Sequence, residues 1–255
     1  MRLITVALLT VAAPLAGLAA TAPAAPAVPA YVTAAINDPA RKADAADDAR
    51  RHGAEVVAFT GVKPGDKVVE LVPAHGYWTR IFSLVVGSKG HVYQVWPHGF
   101  DQYAAKAVAN WQELVKQPPY TNVSVLRTAN DALGVAGPVD LVFTSENYHD
   151  YHDKFMGPVD MAKFNKTVFD ALKPGGMYVV IDNTAPAGSG FADTDTTHRV
   201  DPDAVRKEIE AAGFVFDGSS DVLKNPADDH TQVSYKPPMA GHNDQFVFRF
   251  KKPVH

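Results

Sequence analysis

The chain has 255 residues, of which 46% are hydrophobic and 20% charged, so it is long enough to bury one substantial core. Its formal charge of −4 and the lack of a basic stripe argue against a nucleic-acid partner. Because the sequence contains no cysteine, disulfides and a lipid-modified cysteine are excluded, and the core alone must provide stability.

Residues 1–19 have the pattern of a secretory signal peptide, with a basic residue ahead of an apolar run over residues 3–13. Pro14 and Gly17 interrupt that run before it reaches a comfortable membrane span. We expect cleavage at the end of this segment, no stable membrane insertion afterwards, and a periplasmic or secreted protein. An uncleaved anchor is the alternative.

Residues 20–36 are rich in Ala and Pro, which predicts a disordered spacer. The remaining residues, 37–255, contain no internal repeat and are expected to form a single domain. An Ala-rich helical pattern over residues 38–59 predicts a leading helix that covers the sheet or a pocket.

Residues 67–96 predict a strand, a tight turn, a helix, a second turn and a second strand. An apolar run containing Glu70 forms the first strand, and Trp78, Ile81 and Phe82 have helical spacing after the turn. A ligand over this turn would meet free backbone N–H groups at the start of the helix, with the Glu70 carboxylate nearby.

Strand and helix patterns continue in alternation to the carboxyl end of the chain, which predicts an α/β fold with a doubly wound, mostly parallel sheet. The predicted elements are a helix over residues 104–115, strands over 123–126 and 139–144, a helix over 164–172, a strand over 177–181, a helix over 200–212 and a strand over 246–250.

Glu70, the loop that follows it, the run Gly76-Tyr77-Trp78-Thr79 and the run 90–93 resemble the first motif of class I S-adenosylmethionine-dependent methyltransferases. More narrowly, the chain is similar to an exported group of predicted methyltransferases, because residues 198–214 and 225–231 also resemble that group. The resemblance spans residues 38–253. It implies a Rossmann-like methyltransferase fold with an antiparallel carboxyl-terminal hairpin, S-adenosylmethionine as cofactor and a small-molecule acceptor.

The sequence departs from the family pattern at three places. Val72 and Ala74 stand where the first two glycines of the loop are expected, and only Gly76 is retained. Trp96 stands at the end of the second strand, where the family has an acidic residue that binds the ribose hydroxyls. An indole can stack on adenine but cannot accept a hydrogen bond from ribose.

The residues that the resemblance places around the cofactor follow the first four strands. They are Glu70, Leu71, Val72, Ala74, Gly76, Trp96, Asn130, Asp131 and Ser145. For Asn130 and Asp131, a turn or helix-cap role is an equally good interpretation.

The loop over residues 145–153 is the densest polar cluster in the chain. His149 is the general-base candidate, because an imidazole titrates near neutral pH. Tyr148 is expected to orient an acceptor, and His198 to face the same cleft. The alternative is a solvated surface loop.

Asp182 and Asn183 resemble the pair that holds a divalent metal in cation-dependent catechol-type O-methyltransferases, and two oxygen ligands suit a hard cation. Binding of a divalent metal is one of two interpretations, because both residues could equally cap the following loop. Convergent His and Asp groups would also suit a transition metal.

The leading hypothesis is an S-adenosylmethionine-dependent methyltransferase with His149 as base. The alternative is an exported, non-catalytic protein of the same fold that binds a small ligand or a metal in the cleft. The sequence does not address the oligomeric state.

Overall fold

The computed structural model describes residues 27–135 and 137–254. Helices and strands follow one another in the order α1 (Ala30–Ile36), α2 (Ala45–Arg51), α3 (Gly53–Thr60), β1 (Lys67–Leu71), α4 (Tyr77–Val86), β2 (His91–Pro97), α5 (Asp101–Leu114), β3 (Val123–Thr128), β4 (Val139–Ser145), α6 (Met161–Ala171), β5 (Leu172–Asn183), α7 (Thr194–Thr197), α8 (Pro202–Ala211), β6 (Val215–Ser220) and β7 (Gln245–Lys251).

The strands form one seven-stranded sheet in the order β3-β2-β1-β4-β5-β7-β6. The pairs among β1 to β5 are parallel, and β7 is antiparallel to both β5 and β6. The predicted doubly wound, mostly parallel sheet with an antiparallel pair at its carboxyl end is therefore confirmed. The pair β6 and β7 is joined by a long connection over residues 221–244 rather than by a tight turn.

Both faces of the sheet are covered, as the nearly continuous apolar run of β1 requires. Val68 belongs to an apolar cluster that includes Ile81 of α4, whereas Val69 belongs to a second cluster that includes Phe164 of α6 and Val205 of α8. Successive β1 residues thus point to opposite faces and are buried on each. The carboxyl ends of β1, β4 and β5 lie side by side and carry the loops of interest.

The amino-terminal predictions need correction where the structure describes them. The predicted spacer over residues 20–36 includes α1, whose Val32 is fully buried in the cluster of α4, so the folded unit begins earlier than expected. The single helix expected over residues 38–59 is divided into α2 and α3 by His52, which has a left-handed backbone (φ 47°). The predicted signal peptide, residues 1–19, lies outside the described residues.

Among the helices of the described ranges, none combines the length and the apolar character that crossing a membrane requires.

Candidate active site

The loop between β1 and α4 has an unusual backbone. Val72, Ala74 and Gly76 have φ values of 47°, 50° and 81°, so every second residue is left-handed. Such a conformation is rare for alanine and an outlier for a β-branched residue. The loop therefore follows a glycine-type backbone path although two of these positions are not glycine. A Cβ at Gly76 would collide with the Trp111 indole, so any other residue there would have to displace that ring.

Ala74→Gly should raise the free energy of unfolding by about 1 kcal/mol, because left-handed backbone costs a residue with a Cβ roughly 1–2 kcal/mol and glycine recovers most of it. Ala74 is exposed, so no packing is lost. Ala105→Gly, on an exposed position of α5, is the matched control and should instead lower stability by roughly 0.5–1 kcal/mol. Urea denaturation measures both. A destabilised Ala74→Gly protein would contradict the strained backbone.

Glu70 lies at the end of a buried hydrogen-bond chain. Thr79 of α4 donates to Glu70 Oε2, and Gln94 of β2 donates from Nε2 to Thr79 Oγ1 at 2.8 Å. Gln94 stands opposite Glu70 in the register of the two parallel strands, which is what brings it there. Burial raises the pKa of Glu70 to about 8, and the Thr79 hydrogen bond offsets only part of that rise.

A cleft of about 260 Å³ lies over the carboxyl ends of β1 and β4. Glu70 and the loop after it form one wall, and residues 145–147 form another. The structure thus brings together five of the residues predicted to contact the cofactor, namely Glu70, Leu71, Val72, Ala74 and Ser145. Arg51 of α2 closes one side and pairs with Glu146 at 3.5 Å.

Four predicted cofactor residues do not line this cleft: Gly76, in the loop itself, and three residues in or after other strands. Trp96 is buried and donates from its indole Nε1 to Gln94 Oε1 at 3.4 Å. Asn130 accepts from the Gly99 N–H at 2.8 Å and donates to the Met156 carbonyl at 2.6 Å. Asp131 forms an ion pair with Lys163 on the surface. The cofactor contacts expected of these residues stay a prediction.

A second cleft, of about 450 Å³, adjoins the first and shares Glu146 with it. Its wall includes His149, Asp150, Asn183 and His198. His149 and His198, predicted to face one cleft, do so: His149 Nε2 lies 3.2 Å from His198 Nδ1.

His149 is held by Asp182, which is fully buried at the end of β5. Asp182 Oδ1 lies 2.8 Å from His149 Nδ1, and Asp182 Oδ2 accepts from the His149 main-chain N–H at 2.8 Å. Burial alone would lower the pKa of His149, but the carboxylates of Asp182, Asp150 and Asp153 outweigh it and raise the pKa to about 9. Without another cation nearby, the ring is therefore protonated at neutral pH.

Tyr148 is placed away from both clefts. Its hydroxyl donates to Glu208 Oε2 at 2.5 Å and accepts from Asn165 Nδ2 at 2.8 Å inside the core. Burial and the Glu208 carboxylate raise its pKa well above the usual range. The structure thus gives the acceptor-orienting role predicted for Tyr148 no open space at its hydroxyl.

Asp182 and Asn183, the predicted metal candidates, have their polar atoms engaged within the protein. Asn183 donates from Nδ2 to the His198 carbonyl at 2.8 Å and to Ser234 Oγ at 3.0 Å, and its Oδ1 accepts from Asn243 and Gln245. Asp182 accepts from His149 and from the Asn183 N–H. Both side chains position the two histidines, and their role as metal ligands stays a prediction.

Asp150 and Asp153 are the functional candidates that sequence reasoning missed. Residues His149–His152 form a short 3-10 helix, and a repeat of three residues brings positions 150 and 153 to one side. In the described part of the chain, one group of side chains offers metal-ligand atoms within 4.8 Å of one another, and it comprises His149, Asp150, Asp153 and His198. The spacing His-Asp-x-x-Asp, formed by His149, Asp150 and Asp153, was the sequence pattern from which this group could have been predicted.

No family model matches the chain. A protein-L-isoaspartate O-methyltransferase from Methanococcus aeolicus is 26% identical over 156 residues, which cover 60% of this chain and 61% of that protein. The chain thus spans less than two thirds of that relative's length.

Two of the solved structures that share the fold illustrate the likeness. A methyltransferase from Aquifex aeolicus, described as dependent on S-adenosylmethionine, superposes with a TM-score of 0.56 at 19% identity, covering 85% of this chain and 94% of the other. The [4+2]-cyclase SpnF superposes with a TM-score of 0.55 at 12% identity, covering 81% of each chain. The chain therefore has the Rossmann-like fold of class I S-adenosylmethionine-dependent methyltransferases, a fold that also serves other reactions.

Proposed function

We propose that the protein transfers a methyl group from S-adenosylmethionine to a small-molecule acceptor. The observation that carries the proposal is the loop after β1, which keeps left-handed backbone at Val72, Ala74 and Gly76 although two of these are not glycine. If this backbone path had no function, we would expect the loop to have a less strained conformation. Strained backbone is retained mainly where function requires it.

The residues present fit the amino-acid end of S-adenosylmethionine. The first cleft offers the start of α4, with its free N–H groups, beside the Glu70 carboxyl. A bound ammonium group would favour the ionised form of Glu70, whose pKa burial has raised. At the adenosine end, Trp96 stands where the family has a carboxylate, so the proposal relies on the first cleft.

The second cleft would hold the acceptor, next to the first. S-Adenosylmethionine would supply an electrophilic methyl group, so the protein's task is to align the acceptor and remove its proton. In the metal-free protein, His149 would take that proton only in its neutral form, whose share grows as the pH rises towards the pKa of about 9; Asp182 binds Nδ1, and Nε2 lies on the cleft side. Asp182 also stabilises the imidazolium that forms.

A second candidate is a non-catalytic ligand-binding protein of the same fold. The buried Trp96 and the engaged Asn130 favour it, because neither offers a free group to adenosine. The predicted export adds to this case, since S-adenosylmethionine is made in the cytosol.

Isothermal titration of the purified protein with S-adenosylmethionine and S-adenosylhomocysteine separates the two candidates. We expect binding with a dissociation constant of about 1–100 μM, the range in which metabolite sites commonly work. Glu70→Gln should weaken binding at least tenfold, whereas Glu113→Gln, which alters an exposed ion pair with Lys116, is the matched control and should not. A folded wild-type protein that binds neither compound would rule out the methyltransferase proposal.

A further inference from the structure

We propose that His149, Asp150, Asp153 and His198 form a binding site for one divalent first-row transition metal ion in the wall of the second cleft. The inference goes beyond the proposed methyl transfer, because it depends only on these four side chains and their supports. The site differs from the Asp182 and Asn183 pair that the sequence suggested.

The distances between the ligand atoms match a metal site. His149 Nε2 lies 3.2 Å from His198 Nδ1 and 3.4 Å from Asp150 Oδ1. Ligand atoms bound tetrahedrally at 2.0–2.1 Å from zinc are separated by about 3.3 Å. All four residues contribute an atom to a group that spans at most 4.8 Å. An ion placed among these atoms would therefore reach them with little rearrangement.

The orientation of His149 is also that of a metal ligand. Asp182 binds His149 Nδ1, so that Nδ1 carries the proton of the neutral ring and the Nε2 lone pair points to the cluster. A carboxylate behind a ligating histidine fixes the ring and increases its basicity. Asp150 is turned in the same way, because Asn147 donates to its Oδ2 at 3.0 Å and leaves Oδ1 beside His149 Nε2.

Asp153 gives an independent indication. The residue is only 2% exposed, and its Oδ1 is buried without a hydrogen-bond partner. Leaving a buried charged oxygen unpaired is costly, and native structures seldom do so without an ion, a water or a function at that point. Because Asp153 offers a carboxylate oxygen to the same group as the two imidazoles, a cation bound there would compensate this buried carboxylate.

The side chains around the cluster carry negative charge that a cation would balance. Asp150, Asp153 and Asp182 surround His149, and none of the ion pairs formed by the described residues gives these carboxylates a lysine or arginine. Buried carboxylates are normally paired or bound to a metal. A divalent ion would balance most of this negative charge and allow both imidazoles to be neutral.

The backbone at His198 is arranged for this role. His198 has a left-handed backbone conformation (φ 52°). This conformation raises the free energy of a residue that has a Cβ, and it is enriched at functional sites. Its carbonyl accepts hydrogen bonds from Asn183 Nδ2 and from Ser234 Oγ, at 2.8 and 3.0 Å. The loop is therefore fastened with the ring directed at His149.

The chemistry of the ligands selects the class of metal. Two imidazole nitrogens with carboxylate oxygens suit zinc, manganese or iron, whereas magnesium and calcium prefer oxygen alone. The cleft leaves one side of the site open to a small molecule. If the proposed methyl transfer holds, a metal held by these residues would lower the pKa of an acceptor hydroxyl so that its proton could pass to solvent water, and His149 would be a ligand instead of the base.

The test uses the full chain without S-adenosylmethionine, so its outcome is separate from that of the cofactor titration. After chelation and dialysis, Zn²⁺, Mn²⁺ and Mg²⁺ are titrated by calorimetry, and Co²⁺ is added to record visible absorption. We expect one Zn²⁺ or Mn²⁺ per chain, weaker Mg²⁺ binding, and Co²⁺ bands typical of nitrogen and oxygen ligands. A folded wild-type protein that binds none of these ions would overturn the inference.

Two variants locate the ion. Asp153→Asn, which preserves shape, and His198→Gln should each lower the Zn²⁺ affinity at least tenfold and change the Co²⁺ spectrum. His152→Gln is the matched control, because His152 lies on the same short helix but pairs with Glu208 at 3.2 Å. Circular dichroism verifies that each variant is folded. Wild-type affinity in both ligand variants, or an equal loss in the control, would place the ion elsewhere and refute the site.

Discussion

His149→Gln lowers turnover by about two to four orders of magnitude, the contribution of a positioned proton acceptor, and leaves the affinity for S-adenosylhomocysteine unchanged. Glutamine approximates the reach of the ring but neither takes up a proton nor replaces Nε2 in the cluster. The cofactor loop is untouched, because His149 lines the second cleft and not the first. Release of S-adenosylhomocysteine with a panel of small phenols, carboxylates and amines measures turnover.

Metal content separates the two roles of His149. A base acting alone predicts that His198→Gln retains its metal content and most of its activity, whereas a metal ligand predicts that both variants lose metal and activity together. His152→Gln serves as the control on the same short helix. Full activity in His149→Gln would remove this residue from the mechanism and leave the proposed acceptor site without a proton acceptor.

Much of the fold could be predicted because it depends on local patterns. The alternation of apolar strands and amphipathic helices predicted β1 to β5, β7 and the helices between them in the right order, although no range was predicted for α7 or β6. Glu70 within an apolar run pointed to the residues of the first cleft. The break at His52 was not predictable in the same way, since a left-handed histidine between two helices depends on packing outside the segment.

In the candidate site, too, some features could be predicted from the sequence and others depend on tertiary structure. His149 and His198 were paired correctly because both follow carboxyl ends of neighbouring strands, where parallel topology brings loops together. Asp153 was missed because its importance lies in an unpaired buried oxygen, and burial at a loop is a tertiary property. Tyr148 was expected at the cleft, yet its hydroxyl is satisfied by Glu208 and Asn165 in the core.

Arg199→Met should destabilise the protein by about 3–5 kcal/mol, the cost of breaking a buried ion pair by removing one partner. Arg199 and Asp228 are both fully buried as side chains, with Arg199 Nη1 and Nη2 at 2.9 and 3.1 Å from the two carboxylate oxygens. Arg199 also donates from Nε to the Gln232 carbonyl at 2.8 Å and from Nη1 to the Thr184 carbonyl at 2.9 Å. The pair thus joins the chain next to His198 to the long connection before β7.

The loss of stability in Arg199→Met should depend on pH. Burial acts to raise the pKa of Asp228, but the main-chain N–H groups of Asp244 and His230 and the Arg199 guanidinium outweigh it and hold the pKa below its usual value of 3.8. Stability from a lowered carboxyl pKa is present above the unfolded value and is lost as the pH falls through the folded value. The wild type should therefore lose its advantage over Arg199→Met as the pH drops below about 4.

Urea denaturation at pH 7 and at pH 3 measures both effects. Lys166→Met is the matched control, because Lys166 and Asp170 form an exposed pair within α6, worth at most about 0.5 kcal/mol. Asp228→Asn keeps one acceptor oxygen, but it places an NH2 group against the second main-chain N–H and leaves the Arg199 charge buried without its anion, so it should also destabilise the protein. If Arg199→Met unfolds at the same urea concentration as the control at pH 7, the buried pair does not hold the wall of the second cleft, and the position of His198 must depend on Asn183 and Ser234 alone.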